Sequence, residues 1–116
     1  MLKVFYLSSC STCKRILSEV NLPQHELIDV KENPIDEDAL STMYKFTNSY
    51  EALVNKRAQL YKQRDLKSKQ LTEANYKQLL LEHYTFLKRP VFLFDQEIFV
   101  GNAKKTIAQL KGFLND

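Results

Sequence analysis

The first apolar run, LKVFYL over residues 2–7, is unbroken but for Lys3 and rich in residues that favour extended backbone. That pattern predicts a β-strand. Residues 8–11 are polar and predict a turn. Apolar positions then resume at helical spacing, with Ile16, Leu17 and Val20 on one face, and the pattern stops near Asn21-Leu22-Pro23. Residues 24–30, QHELIDV, predict a second strand. An opening of strand, helix, strand implies parallel strands joined by a right-handed crossover.

The middle of the chain changes period. Pro34 precedes a segment from Asp36 to about Thr47 that carries acids in its first turn and Leu40, Met43 and Tyr44 on one face, which predicts a helix. Residues 50–63, with Leu53, Val54 and Leu60 apolar, predict another short helix. Thr72 is placed as the N-cap of a third, in which Tyr76, Leu79, Leu80, Tyr84 and Leu87 follow helical spacing. After Arg89-Pro90 come VFLFD and EIFVG, two short apolar strands joined at Asp95-Gln96 as a hairpin. A last helix is expected to bury Ala103, Ile107, Leu110 and Leu114. The order is β-α-β, a helical block, then β-β-α. It predicts an α/β fold, a four-stranded mixed sheet covered by helices.

A chain of 116 residues supports one hydrophobic core, and 44% hydrophobic with 27% charged residues is an ordinary globular balance. No apolar stretch approaches a membrane span, and Met1-Leu2-Lys3-Val4 lacks the ordered regions of a signal peptide, so the expected setting is cytoplasmic. The net charge of +3 is too small to announce direct contact with nucleic acid. Charge is unevenly spread, however. Lys56, Arg57, Lys62, Arg64, Lys67 and Lys69 face a single acid, Asp65, within one short stretch. Such a run is either a solvated face or a surface for an anion or acidic partner.

The two cysteines, Cys10 and Cys13, are the only ones in the chain and stand in a C-x-x-C between the first strand and the first helix. At the mouth of a helix the unpaired N–H groups favour thiolate over thiol, and the thiolate is the nucleophile. Lys14 and Arg15 add positive charge one turn in. Cys13, about one helical turn on, is placed to resolve a mixed disulfide on Cys10. A structural zinc site needs four ligands; only His25 and His83 remain, in no paired spacing, so no metal is expected. Two inert buried thiols are the remaining alternative. Pro90 stands where a strand begins, a position proline tolerates, and nothing local singles it out as cis.

"YLSSCSTCKRIL", "LVNKRAQLY" and "RPVFLF…VGN", in this order, resemble the arsenate reductase (ArsC)/Spx family over essentially the whole chain. The resemblance implies a single thioredoxin-like domain over 1–116, with its core in 1–34 and 88–116 and a helical insertion over 35–87. It implies that Cys10 is the nucleophile, that Cys13 matches the second cysteine of the Spx-like branch, and that Pro90 is cis. Arg89 matches an oxyanion-binding arginine of the reductases. Asn55 and Gly101 stand where the reductases use two more, and Arg57 is placed like an arginine of the Spx branch. A doubly charged oxyanion needs several charge-assisted donors; here Arg57 or Lys14 would have to supplement Arg89. The family therefore implies a thiol–disulfide oxidoreductase without metal or organic cofactor, reset by glutathione, thioredoxin or glutaredoxin. Its other branch implies a redox-sensing regulator that contacts the RNA polymerase alpha subunit through the surface around Arg57.

Overall fold

Strand β1 (Leu2–Tyr6) pairs in parallel with β2 (His25–Asp29), from Leu2 opposite His25 to Tyr6 opposite Asp29. A computed structural model describes residues 1–115; Asp116, the end of the expected domain, lies outside them. Helix α1 (Ser11–Glu19) makes the crossover. Strand β3 (Val91–Leu93) adds to the other side of β1, antiparallel, and β4 (Ile98–Val100) closes the hairpin, giving the order β2-β1-β3-β4. The hairpin turns at Asp95-Gln96, with the Phe94 N–H donating to the Glu97 carbonyl at 2.8 Å. The fold is α/β and the sheet mixed, and its two centre strands bury residues on both faces, although Lys3 of β1 is exposed. Val4 and Phe5 point to opposite sides and both are buried. All three residues of β3 are buried as well.

Leu2, Val4, Ile16, Phe92, Phe99, Ile107 and Leu110 form one core, joining the sheet to α1 and α5 (Lys104–Asn115). Ala103, expected among the buried residues of α5, is exposed. It precedes the first turn of the helix, and its carbonyl accepts from the Ile107 N–H. Met1–Asn33 and the chain from Arg89 on make up this unit.

Pro34–Lys88 make up a second unit. Its helix α2 (Glu37–Thr47) is capped by the Asp36 carboxylate, which accepts from the Ala39 N–H at 2.8 Å, and ends at Asn48 with a left-handed φ of 54°. The segment 50–63 is not one helix. A 3-10 turn at Glu51–Leu53 is followed by an extended Val54, and α3 starts only at Gln59 (Gln59–Gln63). The intervening backbone bonds to the returning chain: Val54 bridges Leu87, Asn55 N–H donates to the Phe86 carbonyl, and Lys88 N–H donates to that of Leu53. Helix α4 (Glu73–Glu82) starts at Thr72 in a reciprocal capping box with Asn75. It stops at His83, whose extended backbone and ring, which accepts from the Thr85 N–H, begin a 3-10 turn at Tyr84–Phe86. Tyr84 and Leu87 therefore lie beyond the helix; Leu87 is buried all the same, and its backbone bridges Val54.

Candidate active site

The chain leaves β1 at Tyr6 and turns over 7–10, closed by the Cys10 N–H donating to the Leu7 carbonyl at 3.0 Å. Cys10 is then the N-cap of α1, with extended backbone (φ −88°, ψ 113°), and its carbonyl accepts the Lys14 N–H. Its side chain is half-buried, and both thiols are free. Partial burial pushes the Cys10 thiol up. The Cys13 N–H, the Cys13 thiol, the Thr12 N–H and the Arg89 guanidinium push it down, and they win: the thiol lies below its ordinary range. The thiol makes no full capping hydrogen bond, so the two amides act on the sulfur chiefly as oriented dipoles at the positive end of the helix. The result is an accessible sulfur that ionises readily.

Cys13 behaves in the opposite way. It lies with Ile16 on the inward face of α1 and is fully buried. Burial pushes its thiol up to about 11, a backbone contact from Leu7 and the Arg89 charge oppose this, and the hydrogen bond to Cys10 and the charge there add to it. Both contributions of Cys10 depend on its being an anion. Once that sulfur is bonded to another, both are gone; the penalty of burial remains, still opposed by Leu7 and Arg89, and Cys13 is easier to deprotonate.

Arg89-Pro90 is a cis peptide bond. The β1–β3 register, with Phe5 opposite Val91, sets the buried Pro90 one step further along β1, toward the turn that carries Cys10. The Pro90 carbonyl accepts from the Gly101 N–H at 2.9 Å. Gly101 is buried and has a φ of 89°, a backbone that a side chain would strain. Arg89 is half-buried, and its charge acts on both sulfurs.

Cys10, Cys13, Lys14, Arg89 and Pro90 thus belong to one unit. Lys14 is exposed in the first turn of α1. Arg57 is exposed in the other unit, where its N–H donates to the Asn55 side-chain carbonyl at 3.0 Å. Asn55 closes a local turn there. Two members of the basic run are neutralised: Lys56 by Glu51, and Arg64 by both carboxylate oxygens of Glu82. Among the described residues Arg57, Lys62, Lys67 and Lys69 are exposed and form no ion pair. His25 contacts the Pro23 carbonyl through Nδ1. Among the described residues no cluster of three or more His, Cys, Asp or Glu could hold a metal ion. No helix there is long and apolar enough to cross a membrane.

Sequence reasoning passed over one pair. Ser8 Oγ, in the turn before Cys10, donates to Asp29 Oδ2 at 2.5 Å. The only signal for it was the parallel register, which sets the ends of β1 and β2 level.

Residues 5–110 match the model of the ArsC family. The global transcriptional regulator Spx of Streptococcus pyogenes serotype M1 is 22% identical over 107 residues, covering 87% of this chain and 78% of that protein. Among solved structures, the arsenate reductase from Vibrio cholerae superposes with a TM-score of 0.77 at 17% identity, over 93% of this chain and 95% of the other. An arsenate reductase (ArsC) related protein from Brucella melitensis does so with a TM-score of 0.68 at 25% identity, over 97% and 92%.

Proposed function

The chain belongs to the ArsC family and has its thioredoxin-like fold, and from that premise we propose that it is a cytoplasmic thiol–disulfide oxidoreductase with Cys10 as nucleophile and Cys13 as resolving cysteine. The observation that carries this reading is the opposed state of the two thiols: Cys10 accessible and lowered, Cys13 buried and raised to about 11. The Cys10 thiolate attacks a disulfide R–S–S–R′, forming Cys10–S–S–R and releasing R′S⁻. Cys13 then gives up its proton to the departing thiolate and attacks the Cys10 sulfur. This releases the second thiol and leaves a Cys10–Cys13 disulfide. The substrate disulfide is reduced by two electrons and the protein dithiol is oxidised by two. Two equivalents of glutathione, or one dithiol of a thioredoxin or glutaredoxin, return it to the dithiol. No metal or organic cofactor takes part in this cycle.

Arg89 serves the same chemistry by favouring the Cys10 thiolate. Reduction of arsenate is less well supported. Asn55 is committed to its own turn, and Gly101 sits at a φ that disfavours a side chain, so neither position offers a cation. The test is turnover of a small mixed disulfide, and separately of arsenate, by wild type and Cys10→Ser. The expected outcome is disulfide turnover that Cys10→Ser abolishes, and little or none with arsenate. Disulfide turnover absent from wild type, or unchanged in Cys10→Ser, overturns the reading.

A second reading rests on the similarity to Spx and on the exposed, unneutralised Arg57. It makes Cys10–Cys13 a switch in a regulator that binds the RNA polymerase alpha subunit. Pull-down of that subunit by wild type but not by Arg57→Glu supports it. Absence of binding in both redox states removes it.

A further inference from the structure

We propose that Ser8 and Asp29 are positioning residues for Cys10: their hydrogen bond holds the turn that aims the Cys10 sulfur at the N–H groups of α1. This rests on the reading of Cys10 as the reactive thiol. The geometry is specific. Asp29 is the last residue of β2, directly opposite Tyr6, the last residue of β1. The two strand ends are joined at this level by the Val30 N–H donating to the Tyr6 carbonyl at 2.9 Å. One oxygen of the Asp29 carboxylate accepts the Ser8 hydroxyl and the other accepts the Lys31 N–H at 3.1 Å, so the acceptor is itself held. Ser8 lies inside the turn closed by Cys10 N–H and the Leu7 carbonyl. The turn is therefore tied twice, once through its backbone and once to the neighbouring strand.

The carboxylate is the right partner for such a tie. The Ser8 hydroxyl is the main cause holding the Asp29 carboxyl below its ordinary range, with slight burial opposing and the Lys31 and Ser8 N–H groups and the Lys31 charge helping. Asp29 stays ionised at neutral pH, and a hydroxyl bonded to an anion holds more firmly than one bonded to a neutral acceptor. Cys10 needs that firmness. Its stabilisation comes from the Cys13 and Thr12 N–H groups, and the hold of an N–H on an acceptor depends on how squarely it is aimed. Asp29 does not touch the sulfur and takes no part in proton transfer; its effect passes through the turn.

Iodoacetamide alkylation of the full-length reduced protein, followed against pH with Cys10 resolved by mass spectrometry, tests this. Ser8→Ala is expected to move the alkylation midpoint upward and to lower the rate at pH 7 by about twofold to fivefold. At Asp29 a substitution that removes the tie also changes the local charge. The comparison of Asp29→Asn with Asp29→Ala cancels that charge effect, since only the asparagine keeps an oxygen to accept the Ser8 hydroxyl. Asp29→Ala is expected to react more slowly than Asp29→Asn by a similar factor. A purely structural tie would lower the melting temperature and leave the midpoints in place, and that result overturns the proposal. Should Ser8→Ala fail to fold, the Asp29 pair decides alone, and equal midpoints there overturn it too. The readout is thiol ionisation, so a protein that turns over no disulfide can still pass or fail it.

Discussion

At the scale of single residues, one motif sets two chemically identical groups on opposite courses. Cys10 and Cys13 share a helix end and the field of Arg89; Cys13 is the more deeply buried, and the Thr12 and Cys13 N–H groups favour the anion at Cys10. The spacing made the pair legible in the sequence, and the strand before it placed Cys10 at the helix mouth. The depth of Cys13 was legible only indirectly, through Ile16 three residues on, which belongs to the same apolar face. The depth has a measurable consequence. In the unfolded chain Cys13 loses its proton as a free thiol does, at about 8.5, whereas in the fold burial holds it up to about 11. Between those values the unfolded state binds fewer protons, so stability falls as pH rises through the window and is unaffected below it. Reduced wild type is expected to lose stability across that window more steeply than Cys13→Ala, by at most ~1.4 kcal/mol per pH unit. Urea titrations at successive pH values with a thiol reductant present check this. Tyr76, raised by burial, also weakens the fold in alkali, but it does so equally in both proteins. Parallel pH profiles would mean that Cys13 is not held as a thiol by its surroundings.

At the scale of elements, the parts written into adjacent residues were readable and the parts written across the chain were not. Thr72 announced its helix because a cap is a local bond, here with Asn75, and the helix that follows Pro34 was announced by the acids of its first turn, beside which the Asp36 carboxylate accepts from the Ala39 N–H. The hairpin at Asp95-Gln96 was readable for the same reason. The segment 50–63 looked helical because Leu53, Val54 and Leu60 fit the period. It divides because the backbone near Val54 and Asn55 finds partners at 86–88, and no window on the sequence contains both. The break at His83 is local, made by an extended backbone and a ring that accepts from the Thr85 N–H, but histidine is not a residue whose capping role the sequence announces. The Ser8–Asp29 tie was hidden too, since its partners stand at the ends of different strands. The cis bond at Pro90 was pointed to by the family resemblance and by nothing local. The local caps carry a definite expectation. Thr72→Ala removes the hydroxyl that accepts the Asn75 N–H and is expected to destabilise the protein by ~1 kcal/mol. Thr72→Ser should restore most of this. A urea midpoint unchanged by Thr72→Ala would show that α4 is held by its buried Tyr76, Leu79 and Leu80 alone.

At the scale of the molecule, the unit that carries the thiols is assembled from two stretches of chain, before Pro34 and after Lys88. Cys10 comes from the first and Arg89 with Pro90 from the second, so the site exists only when β3 is in place beside β1. Phe92 is where that joining is concentrated. It stands opposite Val4 on β1 and Phe99 on β4, it is fully buried, and it shares its core with Ile16 of α1, the residue one turn beyond Cys13. Truncating such a ring costs about 3–5 kcal/mol, against a whole stability for a domain of this kind of about 5–15 kcal/mol. Phe92→Ala is therefore expected to leave the chain marginally folded. Its effect should reach the site because β3 holds Arg89 and α1 loses a partner for its inward face. The Cys10 alkylation midpoint should then move toward that of a free thiol, about 8.5. Phe92→Leu, which keeps most of the apolar volume, should lose less stability and hold the midpoint closer to wild type. The two readouts belong together, because the thiolate at Cys10 depends on the same core that holds the sheet. If Phe92→Ala lowered the urea midpoint while Cys10 titrated as in wild type, the ionisation would be a property of the local turn and helix alone, with no contribution from β3.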